Sequence, residues 1–211
     1  MTLALPGLDA LPPERLRSGA LSQWFTPHDI AARMARWAGN VGGRVLEPSA
    51  GSGALVEAWT AEHEDPRIDA VEIDPDFAAR LREDVSGGVV VSCEDYLTRP
   101  RPARRYDLAL MNPPYEDGLD GLFLAKTMSE CDRVIALVRL AALAGSGRHA
   151  SVWSRIESHA DGWHMPGLAV FSSRPVFDGP ESASGSAKSD FVCVKLSRVS
   201  PPSETRVEWW T

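Results

Sequence analysis

Cysteine is scarce in this chain. Cys93, Cys131 and Cys193 are its three cysteines in 211 residues, odd in number, widely spaced and without a CxxC pair. That usage excludes a disulfide framework and leaves no zinc-ligand pattern, so all three read as small core residues. His149, His159 and His164 show no ligand spacing either, and no metal is expected. Long apolar runs are missing too. Nothing approaches the roughly 20 residues that a membrane span requires, and the N-terminal stretch has no basic n-region of the kind a secretory signal carries. A soluble, cytoplasmic protein without membrane contact is the expectation. Internal repeats are absent. Excess positive charge is absent as well: the net charge is −7, which is awkward for a partner such as nucleic acid that is held through its phosphates. The distribution is uneven. Twelve acids face three arginines between Glu57 and Asp95, whereas Arg99, Arg101, Arg104 and Arg105 crowd one segment. Five arginines against two acids run from Arg133 to Arg174, suggesting an acidic flank and a basic face.

What is present is an ordinary globular composition, 44% hydrophobic and 24% charged, in a length that suits one domain. Residues 1–20 form a loose Pro-, Gly- and Leu-rich lead-in, and residues 21–211 a single domain. Thr26 as N-cap with Pro27 at the first helical position predicts a helix bearing Ile30, Met34 and Trp37 on one face and closed by Gly39. Strands follow at Arg44–Glu47, Ile68–Ile73, Val89–Ser92, Tyr106–Met111 and Arg133–Val138, with helices from Ala54, from Pro75 and over Leu119–Ser129 between them. A helical piece near Ser151–Ser158, a strand around Leu168–Ser172 and a last strand over Phe191–Leu196 complete the pattern. The segment DGPESASGSAKSD reads as a flexible loop. Such alternation implies an α/β fold, a mostly parallel sheet with helices on both faces.

The run RVLEPSAGSGAL places a strand before a glycine-rich turn and a helix, an arrangement that lets backbone N–H groups approach a ligand closely. About twenty residues on, Glu72 ends the next strand, where a carboxylate can accept hydrogen bonds from both ribose hydroxyls of an adenosine-containing ligand. The same physics serves NAD. Val56 stands where a third glycine would be.

Further segments accompany that turn: FTP (Phe25–Pro27), LEPSAGSG (Leu46–Gly53), VEIDP (Val71–Pro75), CEDYL (Cys93–Leu97) and NPPY (Asn112–Tyr115). In this order, over about 100 residues, the chain resembles the S-adenosylmethionine-dependent amino-methyltransferases, particularly gamma-type DNA N6-adenine methyltransferases in a compact, phage-like form. The resemblance implies a Rossmann-like class I fold with a seven-stranded sheet and S-adenosyl-L-methionine as cofactor. It implies that Phe25 and Thr26 lie by the methionine end of that cofactor, with Glu47, Pro48 and the turn of Ala50, Gly51 and Gly53 near its amino-acid portion. Glu72 would bind the ribose, Ile73 and Tyr96 would sandwich the adenine, and Asp95 would accept from its amino group.

The exocyclic amine of adenine is a poor nucleophile because its lone pair is delocalised into the ring. Asn112 and Pro113 suit the task of correcting this: a side-chain carbonyl and the following backbone carbonyl accept the two N–H bonds, while Pro113 and Pro114 stiffen the loop. Tyr115 is a stacking plate for a base flipped out of its helix. No cysteine follows a proline, so the covalent route to C5 of cytosine has no nucleophile and direct transfer to nitrogen remains. DNA is the expected partner, with RNA possible, at a surface formed by Arg139, Arg148, Arg155, Arg174 and Lys188 with the loop over residues 178–190. The alternatives in view are an adenine-N6 enzyme of ribosomal RNA, a cytosine-N4 enzyme of DNA, a protein-glutamine methyltransferase, and a non-catalytic binding subunit of the same fold. No separate recognition domain fits in this length, in which the chain departs from family members that read a DNA sequence.

Overall fold

A computed structural model of the protein describes residues 24–85, 87–177, 189–199 and 204–211. The expected lead-in over residues 1–20, most of the loop over residues 178–190 and Lys188 lie outside the described residues. Helix α1 spans His28–Ala38, and Ile30, Ala31, Met34, Ala35 and Ala38 bury one face of it, the spacing a one-sided helix requires. Its N-cap is Pro27, whose carbonyl accepts from the Ala31 N–H at 2.9 Å. The expected Thr26 cap is therefore corrected: no side chain caps this helix, and Thr26 is buried instead.

The chain then alternates through β1 (Arg44–Glu47), α2 (Ala54–Glu62), β2 (Arg67–Glu72), α3 (Pro75–Asp84), β3 (Val89–Cys93), β4 (Leu108–Met111), α4 (Leu119–Glu130) and β5 (Arg133–Arg139). Helix α3 begins as a proline-first helix should: Asp74 accepts from the Asp76 and Phe77 N–H groups, and Pro75 opens the first turn. Short helical turns cover 146–157, including a π-helical turn at His149–Trp153, before β6 (His164–Phe171), β7 (Phe191–Ser197) and β8 (Arg206–Trp210).

The strands make one sheet in the order β3-β2-β1-β4-β5-β7-β6-β8. From β3 to β5 all neighbours are parallel; β7 runs antiparallel to both β5 and β6, and β8 is parallel to β6. Seven strands were expected and the described residues form eight. The eighth, β8, sits at the edge because Trp210 packs its ring edge-on against Trp37 of α1 and Phe171 of β6, at 5.2 and 5.5 Å between centroids. Tyr106, expected inside β4, makes only an isolated bridge to Cys131.

Alternating strand residues feed two cores, as the two-residue period of a sheet covered on both faces demands. Leu108, Leu110, Ile135 and Leu137 meet Met34 of α1 and Leu55 and Trp59 of α2 on one face. Ala109, Met111, Val134, Ala136 and Val138 meet Phe123, Leu124 and Met128 of α4 on the other. Cys131 and Cys193 are buried within these layers, whereas Cys93, at the end of β3, is exposed and is not the core residue expected. Among the described residues no helix is long and apolar enough to cross a membrane.

Candidate active site

The carboxyl ends of β1, β2 and β4 bring the predicted motifs together, at the edge where open α/β sheets bind ligands. Leaving β1, the chain turns at Pro48 and Ala50, with the Ala50 N–H on the Val71 carbonyl of β2 at 2.9 Å. Gly51 and Gly53 have φ of 53° and 94°, a region that costs any residue with a Cβ about 1–2 kcal/mol. Space is tight as well. A Cβ at Gly53 would lie 2.6 Å from Leu81 Cδ1, and one at Gly51 would lie 3.2 Å from Phe25 Cδ1. Phe25 thus roofs the turn, held by an edge contact to Phe77 at 5.0 Å.

Two buried carboxylates flank this cradle. Glu72 grips it: Oε2 accepts from the Gly51 N–H at 2.6 Å and Oε1 from the Asp74 N–H at 2.8 Å. Burial raises the Glu72 pKa, and those backbone hydrogen bonds oppose the rise. Glu47 is 2% exposed, and its Oε1 accepts from the Ser49 N–H at 3.0 Å and the Ser49 hydroxyl at 3.2 Å. Its Oε2 is buried without a hydrogen-bond partner. Burial is the main reason the Glu47 carboxyl is pushed up to about 8, with Ser49 lowering it and neighbouring Glu72 adding a further rise. A buried acceptor with nothing to accept is costly, about 1–3 kcal/mol, and is the feature that a cationic ligand group would relieve.

Asn112, Pro113, Pro114 and Tyr115 leave the end of β4 beside this cradle. Ser49 joins the two, its hydroxyl lying 3.1 Å from the Asn112 carbonyl as well as near Glu47. The Asn112 amide is oriented from both sides: Nδ2 donates to the Trp24 carbonyl at 2.9 Å, and Oδ1 accepts from the Tyr115 hydroxyl. Tyr115 is 5% exposed, its ring edge-on to Phe191 at 5.2 Å and to Phe177 at 6.5 Å. Trp24 closes the same wall, edge-on to Phe177 at 5.7 Å. No predicted site role fell on Ser49, Trp24 or Phe177. Only Ser49 had a signal, its place inside the glycine-rich turn.

On the β3 side Ile73 is half-buried, with Cys93 Sγ 4.0 Å from its carbonyl. Asp95 caps its own loop, Oδ1 accepting from the Leu97 N–H at 2.9 Å. Tyr96 is 2% exposed and packs against α4, where its hydroxyl donates to Glu130 at 3.0 Å and its ring meets Phe123 at 5.3 Å. The described arginines of the expected basic face each lie against an acid. Arg139 and Arg148 turn inward toward buried Asp120, Arg155 pairs with Asp161 at 3.0 Å, and Arg174 pairs with Asp190 at 2.9 Å.

No family model matches the chain. It is 34% identical over 110 residues, 44% of its own length and 44% of the relative's, to the tRNA1(Val) (adenine(37)-N6)-methyltransferase of Klebsiella pneumoniae (strain 342). It is also 34% identical over 98 residues, 44% of its length but 18% of the relative's, to the Type II methyltransferase M.AccI of Acinetobacter calcoaceticus. The matches thus span less than half of these curated relatives. Among solved structures, one assigned as a modification subunit of a type I restriction enzyme from Vibrio vulnificus YJ016 superposes with a TM-score of 0.71 at 17% identity, over 93% of this chain and 49% of that one. A structure assigned as an RNA methyltransferase from Pyrococcus horikoshii gives 0.67 at 20% identity, over 92% and 96%. The fold is the Rossmann-like class I methyltransferase fold, whose methyltransferases use S-adenosyl-L-methionine.

Proposed function

We propose that the protein transfers a methyl group from S-adenosyl-L-methionine to the exocyclic N6 of adenine in nucleic acid, with DNA as the substrate favoured by its motif set. The observation that carries this is the Asn112–Tyr115 loop at the end of β4, tied through Ser49 to the glycine turn. The donor set fits the cofactor: Glu47 Oε2 is buried without a hydrogen-bond partner beside the glycine turn, where a cationic ligand group would supply one. Glu47 holds the α-ammonium, Glu72 the ribose hydroxyls, and Phe25, Thr26, Pro48 and Ala50 wall the methionine portion. Ile73 and Asp95 serve the adenine end, and Tyr96 serves it by supporting the Asp95 loop from beneath. When bound, the cofactor supplies an electrophilic sulfonium methyl with a neutral thioether as leaving group.

The remaining chemistry belongs to the chain. Trp24 fixes the Asn112 amide so that Oδ1, not Nδ2, faces the Tyr115 side of the site. An incoming amine gives one N–H to Oδ1, which can accept a second hydrogen bond alongside the Tyr115 hydroxyl, and its other N–H to the Pro113 carbonyl. Two preorganised acceptors localise the lone pair on nitrogen, the electrostatic preorganisation that is usually the largest catalytic term. The amine's nitrogen would receive the methyl that the bound cofactor supplies and would then give up its extra proton to solvent. Tyr115 and Pro114 hold the flipped base by stacking. Arg155 and Arg174, which exchange exposed acid partners for phosphate at little cost, contribute to the nucleic-acid surface together with Lys188.

RNA is the second reading, favoured by the tRNA-adenine relative at 34% identity. Labelled methyl transfer to duplex DNA, single-stranded DNA, tRNA and ribosomal RNA, alongside a protein extract, separates the two. Label in DNA supports the proposal, label in RNA alone moves it to the second reading, and label in protein alone overturns both.

A further inference from the structure

Asp120 is wholly buried at the start of α4, where a carboxylate is rarely found unless paired. Its Oδ1 accepts from the Gly121 N–H at 2.9 Å and from Arg148 Nε and Nη2 at 3.3 and 3.2 Å. Its Oδ2 makes no hydrogen bond and lies 3.6 Å from Arg139 Nη2. Room for Arg148 depends on Gly121, since a Cβ there would meet Arg148 Cγ at 3.2 Å. Arg139, the last residue of β5, donates through the same Nη2 to the Tyr115 carbonyl and sets its guanidinium carbon 5.6 Å from the centre of the Tyr115 ring. That distance is within cation–π range. Elements distant in sequence therefore converge on one tyrosine.

A buried ion cluster is a poor way to gain stability, because desolvation consumes most of the Coulombic attraction and apolar residues would serve as well. Its geometry accomplishes something apolar packing does not, which is to hold Tyr115 at two points, main chain and ring. We infer that Asp120, acting through Arg139, is a positioning residue that fixes Tyr115 as the plate for the target base. This rests on the proposed role of the Asn112–Tyr115 loop. Arg148 neutralises the remaining Asp120 charge and couples the helical turns at 146–157 to the catalytic loop. Arg139 and Arg148 accordingly face inward and are not phosphate contacts.

The chain has three tyrosines, Tyr96, Tyr106 and Tyr115, so a protein labelled with 13C at the tyrosine ζ-carbon gives three signals, assigned by single Tyr→Phe variants. In Arg139→Met the Tyr115 signal moves while those of Tyr96 and Tyr106 stay, cofactor affinity is retained, and kcat falls about 100-fold, the cost of misplacing a reacting group by about 1 Å. Arg139→Lys, which keeps a cation beside Asp120 but loses the planar fork, recovers part of kcat and carries the test should Arg139→Met not fold. An unmoved Tyr115 signal in either folded variant overturns the inference. So does a loss confined to KM for nucleic acid with a shallower salt dependence, the behaviour of a phosphate contact. Should the wild type transfer no methyl, the functional proposal fails separately, and the Tyr115 signal alone decides whether the cluster fixes that ring.

Discussion

Replacing Glu47 by Gln isolates the charge that the proposed cofactor cradle holds in reserve. In the cofactor-free protein the buried Glu47 carboxyl is pushed up to about 8, so at pH 7 about 0.9 of the molecules carry it protonated. A bound α-ammonium stabilises the carboxylate, and binding at pH 7 then releases about 0.9 of a proton. Affinity rises about tenfold per pH unit from pH 6 to 7 and levels off above 8. Glu47→Gln keeps the shape and the acceptor for Ser49 but has no charge to supply. At pH 8 it binds the cofactor more weakly by about 2 kcal/mol, roughly 30-fold, the value of a charge-assisted hydrogen bond. Near pH 6 the two proteins converge, because the wild type must first ionise its carboxyl. Calorimetric titration in buffers of differing ionisation enthalpy reads the proton count, and the free ligand's own titration is common to both proteins. Equal proton release in wild type and Glu47→Gln, or a deficit independent of pH, would refute the assignment of Glu47 to the ammonium.

The same carboxyl links pH to stability: between 4.5 and about 8 the folded protein keeps a proton that the unfolded chain gives up. Its contribution is therefore fully present below pH 4.5 and lost as pH rises through about 8, and thermal unfolding of Glu47→Gln without cofactor shows a flatter profile across that window. Gly53→Ala places a Cβ 2.6 Å from Leu81 Cδ1 at a φ of 94°, so it lowers the melting temperature by several degrees and weakens cofactor binding, both readable by thermal shift with and without ligand. Lys126 is buried with Nζ on the Arg99 and Leu97 carbonyls at 2.6 and 3.3 Å and 3.5 Å from buried Glu130. Lys126→Met strands that acid and costs about 3–5 kcal/mol in urea unfolding, whereas adding Glu130→Gln restores part of the loss.

Local motifs were legible because their physics is local. A glycine turn between β1 and α2, Asp74 with Pro75 at the start of α3, and the Asn112–Tyr115 loop each need a few adjacent residues, and each stands where the sequence places it. Features that depend on distant partners were not legible. The strand β8 has two adjacent tryptophans and no clean alternation, and its place is set by Trp37, more than 170 residues earlier. Asp120 looks like an ordinary first-turn helix acid until Arg139 and Arg148 close on it. Those two arginines looked like surface charges for the same reason. Tyr96 illustrates the opposite limit: its motif position places the loop, but Glu130 and Phe123, both contributed by α4, decide which way its ring turns.

Nucleoside mass analysis of the methylated product, from wild type and Asn112→Ala incubated with unmethylated DNA and S-adenosyl-L-methionine, decides whether the Asn112–Tyr115 loop activates an adenine amine. The expected result is N6-methyladenine from the wild type and its loss, by about 100-fold or more, in Asn112→Ala with cofactor binding intact. Methylation at cytosine, or N6-methyladenine undiminished in Asn112→Ala, would contradict it.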